Sequence, residues 1–244
     1  MDNKVTKKRI SEHLEYDWYI YLIIAIATIF AFYFAFSQIN STRNYEDVDF
    51  FVSCYPSSGD NNFGQHVLED MNNPKIYTDE LKRKYGDNVL LEVNIEESDP
   101  LGKDYGTLLP THGYVSSDVL IVGEKVMAGG SRFLELTDEL LTDYLLPEGM
   151  EIDDLEYFTL EDKNGNEHRY GIKLENFSKL PFEFDWEKDY KKQYEDKDEE
   201  DQPDKTFYLV ISTQSVSIGK FGRYSKDKNA HALFCVNRFI EYYK

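Results

Sequence analysis

Five histidines, two cysteines and an aspartate-rich turn are the groups in this 244-residue sequence that could do metal or nucleophilic chemistry. Their spacing argues against each. His13, His66, His112, His168 and His231 form neither an HxxxH nor an HExxH pattern, so each reads as a surface or capping residue. Cys54 and Cys235 are too few for a zinc site or a disulfide framework. They could form one bridge in an oxidising compartment or remain two buried free thiols, and the second reading carries more weight because free Cys is among the most buried residue types. Asp162-Lys163-Asn164-Gly165-Asn166-Glu167 superficially matches the start of a calcium loop. However, Glu167 stands where the sixth-position glycine is needed, and Lys173 where a bidentate carboxylate is needed. Ser57-Ser58-Gly59 offers hydroxyls and amides, but the chain has no GxxxxGK[ST] loop and no GxSxG elbow. The sequence therefore predicts no catalytic residue, no metal ligand and no cofactor, and the chain is not expected to be an enzyme.

The elements around these residues begin with an apolar run. Trp18 to Ile39 carries no Lys, Arg, Asp or Glu. About 20 helical residues cross a hydrocarbon core of about 30 Å. Residues 18–39 are therefore expected to be a transmembrane helix in contact with the lipid bilayer. Trp18, Tyr19 and Tyr21 suit a head-group layer at one end. Lys4, Lys7, Lys8 and Arg9 precede the run, while only Arg43 follows it closely. That asymmetry predicts a single-pass plasma-membrane protein with residues 1–17 as a cytoplasmic tail, 40–47 as a linker and 48–244 as an extracellular domain. A cleaved signal peptide is the competing reading, with Ala35-Phe36-Ser37 as the cleavage site. The run is longer and more aromatic than a secretory core, which favours an uncleaved signal-anchor. Lipidation at Cys54 is disfavoured by the charges from Arg43 to Asp49.

Charge sets a second bound. The net charge is −19, and the four basic and four acidic side chains of the tail cancel, so the excess lies beyond the apolar run. Such a surface repels nucleic acid, which is excluded as a partner.

The remaining 197 positions or so are long enough for one core. Strands are expected at 48–54, 89–95, 118–123 and 206–211, with a hairpin over 157–174 turning at Asn164-Gly165. Helices are expected at 63–71, near 78–85 before Gly86, and near 105–109 with a break at Pro110. Two more are expected at 138–146, between a Thr137 cap and Pro147, and at about 228–243. The alternation of strand and helix predicts an α/β fold: a single lobe with a mostly parallel sheet flanked by helices. Residues from about 177 to 205 read as a charged, solvated surface insertion.

Several pieces resemble the extracellular solute-binding proteins of ABC transporters. They are Gly113-Tyr114-Val115-Ser116-Ser117 followed by Asp118-Val119-Leu120-Ile121-Val122, then Phe133-Leu134-Glu135-Leu136-Thr137, Tyr170-Gly171-Ile172-Lys173-Leu174, Phe207-Tyr208-Leu209-Val210-Ile211 and the terminal amphipathic helix. The family binds a small ligand between two lobes. Here only about 175–205 is available for the second, so the resemblance covers one lobe. In open α/β sheets ligands sit beyond the carboxyl ends of strands. The resemblance therefore implies a ligand site in which Tyr55, Ser57, Ser58 and Asp60 approach Thr111, Tyr114, Ser116 and Glu124, with ordinary loop polarity as the competing explanation. Phe182, Phe184 and Trp186 are the candidate partner-binding patch, unless these rings cover the domain's own core. Two functions follow as expectations. The first is an extracellular interaction subunit of a membrane assembly, docking another membrane protein. The alternative is a tethered small-solute binding or sensing module associated with an ABC transporter.

Overall fold

Two runs, Val119–Gly123 and Phe207–Ile211, are buried along their whole length and form the centre of a sheet covered on both faces. A computed structural model of the chain describes residues 15, 18–40, 46–54, 62–128, 132–177, 180–182, 202–222 and 229–244. It divides into two units, 1–42 and 43–244.

In the first unit, α1 spans Trp18–Asn40. Its described side chains are all exposed, with Phe30, Phe32 and Tyr33 about 70% so. The Thr28 hydroxyl donates to the Ile24 carbonyl at 2.7 Å, so its polar hydrogen is satisfied within the helix. Among the described residues no helix is long and apolar enough to cross a membrane. In α1 the described side chains end at Tyr33, while the helical backbone runs on to Asn40.

The second unit is an α/β domain with a mixed six-stranded sheet. Its strands are β1 (Asp47–Ser53), β2 (Glu92–Ser98), β3 (Val119–Gly123), β4 (Tyr157–Glu161), β5 (Glu167–Lys173) and β6 (Phe207–Ile211). They lie in the order β2-β1-β3-β6-β5-β4. The β2–β1 and β1–β3 pairs are parallel, and the other three pairs are antiparallel. The expected mostly parallel sheet is thus corrected to a mixed one. An apolar run buried on both faces suits a parallel strand, yet β6 inserts against β3 in the opposite direction and is buried just as fully.

Alternation along the strands sorts the core into two layers. Phe50, Val52, Val119, Ile121, Leu209 and Ile211 face the larger one. It is covered by α2 (Phe63–Asn72), α3 (Asp79–Tyr85) and the C-terminal α7 (His231–Tyr243). Phe51, Leu120, Val122, Tyr208 and Val210 face the other. That layer is covered by α4, a helical run through Tyr105–Leu108, a π-helical turn at Leu109–Gly113 and Tyr114–Ser116, and by α5 (Glu124–Met127).

Three local expectations change. The second strand begins at Glu92, because Val89 and Leu91 are exposed. Pro110 does not end the helix. The widened turn leaves its missing N–H without consequence, and the Tyr114 amide reaches back to Leu109. The segment from 177 is not wholly solvated: Phe177 and Phe182 are buried and pack their rings on Phe239. Aromatic area outweighs the charged surroundings there. The hairpin forms as expected, with Gly165 at φ +82°, and Thr137 caps α6 (Asp138–Leu140) by accepting from the Leu140 amide. A second π-helical turn, Leu141–Leu145, continues α6.

Candidate functional site

β1, β2, β3 and β5 share one direction, so their carboxyl ends form a common edge at Ser53, Ser98, Gly123 and Lys173. Tyr55, Ser57, Ser58 and Asp60 lie outside the described residues. Glu124 does stand at this edge, as the first residue of α5, its amide donating to the Thr206 carbonyl. Residues 202–206 cover it closely. The Asp204 carboxylate accepts from the Lys125 amide at 3.2 Å, and the Lys125 ammonium donates to the Gln202 carbonyl at 2.5 Å. A Cβ at Gly123 would come within 2.1 Å of Asp204 Oδ2, so only glycine permits this approach. Burial raises the Asp204 carboxyl above its usual range. Burial likewise pushes the Tyr105 hydroxyl, 2.7 Å from Ser53 Oγ, up to about 12.

Thr111, Tyr114 and Ser116 belong to α4, which returns the chain to the amino end of β3. Ser116 therefore lies beside Asp47 and Asp49 at the opposite edge, a strand length of roughly 15 Å from Glu124. The expected convergence fails for Ser116 because a parallel strand must be entered from its far end. The Thr111 hydroxyl donates to the Thr107 carbonyl of its own helix. The Tyr114 ring packs against Phe133 and under the Arg132 guanidinium, 4.8 Å from its centroid.

At that amino edge Asp47, Asp49, Ser116, Ser117, Asp118, Gln214 and Ser215 surround a cavity of about 250 Å³. Asp118 is 7% exposed. Its carboxylate accepts from the Asp49 amide at 3.0 Å and from the Ser215 hydroxyl at 2.5 Å. Burial, with smaller contributions from Asp49 and Asp47, pushes this carboxyl up to about 7 despite both bonds. It is placed to hold or release a proton near neutrality. Among the described residues no group of three or more His, Cys, Asp and Glu is arranged to hold a metal ion.

A cavity of about 580 Å³ lies between α3, the Leu141–Leu145 turn with the residues after it, and α7. That is within the range of small-molecule sites. Gly86 ends α3 at φ +123°, and a Cβ there would meet Asn229 Oδ1 at 2.4 Å. The Tyr85 hydroxyl donates to the Tyr144 carbonyl at 2.5 Å, tying α3 to the turn. Asn237 Nδ2 donates to the Leu145 carbonyl, tying α7 to the same turn. Into this frame project Lys84 and Arg238. Arg238 pairs with Glu241 at 2.7 Å, stands 3.7 Å from Asp70 and donates to Asn237 Oδ1. Lys84 sits over the rings of Tyr85 and Tyr144, at 5.0 and 5.7 Å, and burial lowers its ammonium below the usual lysine range. Sequence reasoning missed this cleft. Lys84 and Arg238 lie far apart in the chain, and neither belongs to a motif.

Phe182 is 4% exposed and lies nearly parallel to Phe239, so it covers the domain's own core and is corrected as a docking residue. Phe184 and Trp186 lie outside the described residues. In the described part of the domain the exposed large apolar side chains are Val89, Leu91, Val115 and Tyr242, from three separate segments. Both cysteines are free and buried. Burial pushes Cys54 up to about 12, and Cys235 is raised as well, which makes both thiols poor nucleophiles.

No family model, curated protein or solved structure matches this chain.

Proposed function

We propose that this chain is a membrane-anchored binding module, held by α1 and presenting an acidic α/β lobe outside the cell. The observation that carries the reading is the character of α1. It is apolar on every side, and its described side chains are uniformly exposed. A helix of that kind belongs in lipid or inside a bundle. The Thr28 hydroxyl bonds to the Ile24 carbonyl of its own helix, as a hydrocarbon surrounding favours. Lys4, Lys7, Lys8 and Arg9 ahead of the helix favour a cytoplasmic N-terminus.

Two observations support a solute-binding lobe over an interaction subunit. The described surface offers a cleft lined by polar groups from three elements, and its exposed apolar residues are scattered. The chain also leaves the sheet after β5 and returns beside it as β6, which is the path of a solute-binding lobe whose excursion is cut short. A full second lobe would need on the order of 50 residues with their own core.

External protease added to intact cells tests the arrangement. The reading expects loss of the acidic domain and protection of the N-terminal tail. Survival of the acidic domain, or a mature chain beginning after Ser37, would overturn it.

A further inference from the structure

We infer that the cleft between α3, the Leu141–Leu145 turn and α7 binds a small monocarboxylate with an apolar body, whose carboxylate is taken by Lys84. The inference rests on the solute-binding reading of this cleft and does not depend on where the chain resides.

The sequence holds 46 acidic and 27 basic side chains, so a carboxylate partner is easy to find. Lys82 has Asp79, Lys173 has Glu156 and Glu175, and Lys220 has Glu139. Lys84 is the half-buried exception. Its contacts are two aromatic faces, and Asp143 and Glu80 act on it only from beyond ion-pair distance. Removing an ammonium from water without a hydrogen-bonded anion is costly. A ligand carboxylate in the cleft would meet that cost.

Charge count then sets the valence. Arg238 already stands against Glu241 and Asp70. Glu80 and Glu148 also line the cleft and repel a second negative charge. One uncompensated cation therefore calls for one anionic group. The rest of the lining sets the body: Leu81, Leu146, Pro147 and Met150 require carbon, and the Thr142 hydroxyl allows one polar contact. Phosphate fits neither condition.

The test uses the full chain in mild detergent. Butyrate, 4-methylpentanoate and phenylacetate are titrated beside their uncharged amides and inorganic phosphate, up to about 10 mM because ligands this small bind in the millimolar range. Saturation-transfer NMR reports contact and calorimetry reports affinity. At least one carboxylate is expected to bind about tenfold or more tightly than its amide and than phosphate. Lys84→Met is expected to lose about tenfold or more, and Lys84→Arg to stay within about threefold of wild type. Without ligand, Lys84→Met should melt no lower than wild type, which separates a binding role from a structural one. The inference fails if no carboxylate binds, if amides or phosphate bind as well, if Lys84→Met leaves affinity unchanged, or if it lowers the melting temperature. Any of these failures would leave the membrane-anchor reading untouched.

Discussion

The Ser215 hydroxyl donates a 2.5 Å hydrogen bond to the Asp118 carboxylate, closing the amino edge of β3 against the loop that follows β6. Burial raises this carboxyl from the ordinary aspartate range to about 7. A carboxyl raised in the folded state holds a proton there that the unfolded chain has already released. Its charge therefore costs stability as pH rises from about 4 to about 7, and the full cost is present above that window. The rise corresponds to roughly 4 kcal/mol as an upper bound. Asp118→Asn can keep both bonds, accepting from the Asp49 amide and donating to Ser215. In urea titrations it should be more stable than wild type by about 1–3 kcal/mol at pH 8, with the difference shrinking at pH 5. A difference independent of pH would contradict this.

Gly123 is hemmed in by Asp204. Gly123→Ala must displace that carboxylate and break its bond from the Lys125 amide. A cost of roughly 1–3 kcal/mol is expected from the urea midpoint. A neutral substitution would show that residues 202–206 do not cover the carboxyl edge.

Phe182 stacks on Phe239 at a ring separation of 6.4 Å. Phe182→Ala should cost roughly 3–5 kcal/mol, as expected for a buried ring. If melting were unchanged and only association with another membrane protein were lost, Phe182 would be a docking residue after all.

The elements that were legible in the sequence are those whose signal is local. Val119–Gly123 and Phe207–Ile211 announce themselves as apolar runs, and Asn164-Gly165 announces a hairpin. Val236, Phe239 and Ile240 lie on the buried face of α7 that their spacing predicts. Strand direction was not legible, because an apolar run reads equally well either way, and β6 therefore turned a parallel expectation into a mixed sheet. The helix through Pro110 was hidden because a π-turn leaves no compositional mark.

The sites were less legible still. Ser116 is expected beside Glu124 by the rule that ligands sit beyond the carboxyl ends of strands, yet it precedes the amino end of β3 and that strand separates them. Asp118 gave a faint signal as a charge heading a buried strand. Lys84 gave none, since an unpaired lysine is defined by what tertiary packing withholds from it.

Membrane retention of the full chain under alkaline carbonate extraction tests the central claim most directly. Cells expressing the wild-type chain should yield it in the membrane pellet at full length. Ile24→Lys together with Ile26→Asp, at roughly 3 kcal/mol for each charge in the hydrocarbon, should move it to the supernatant. Wild-type chain released by carbonate, or a doubly substituted chain still retained, would contradict the account.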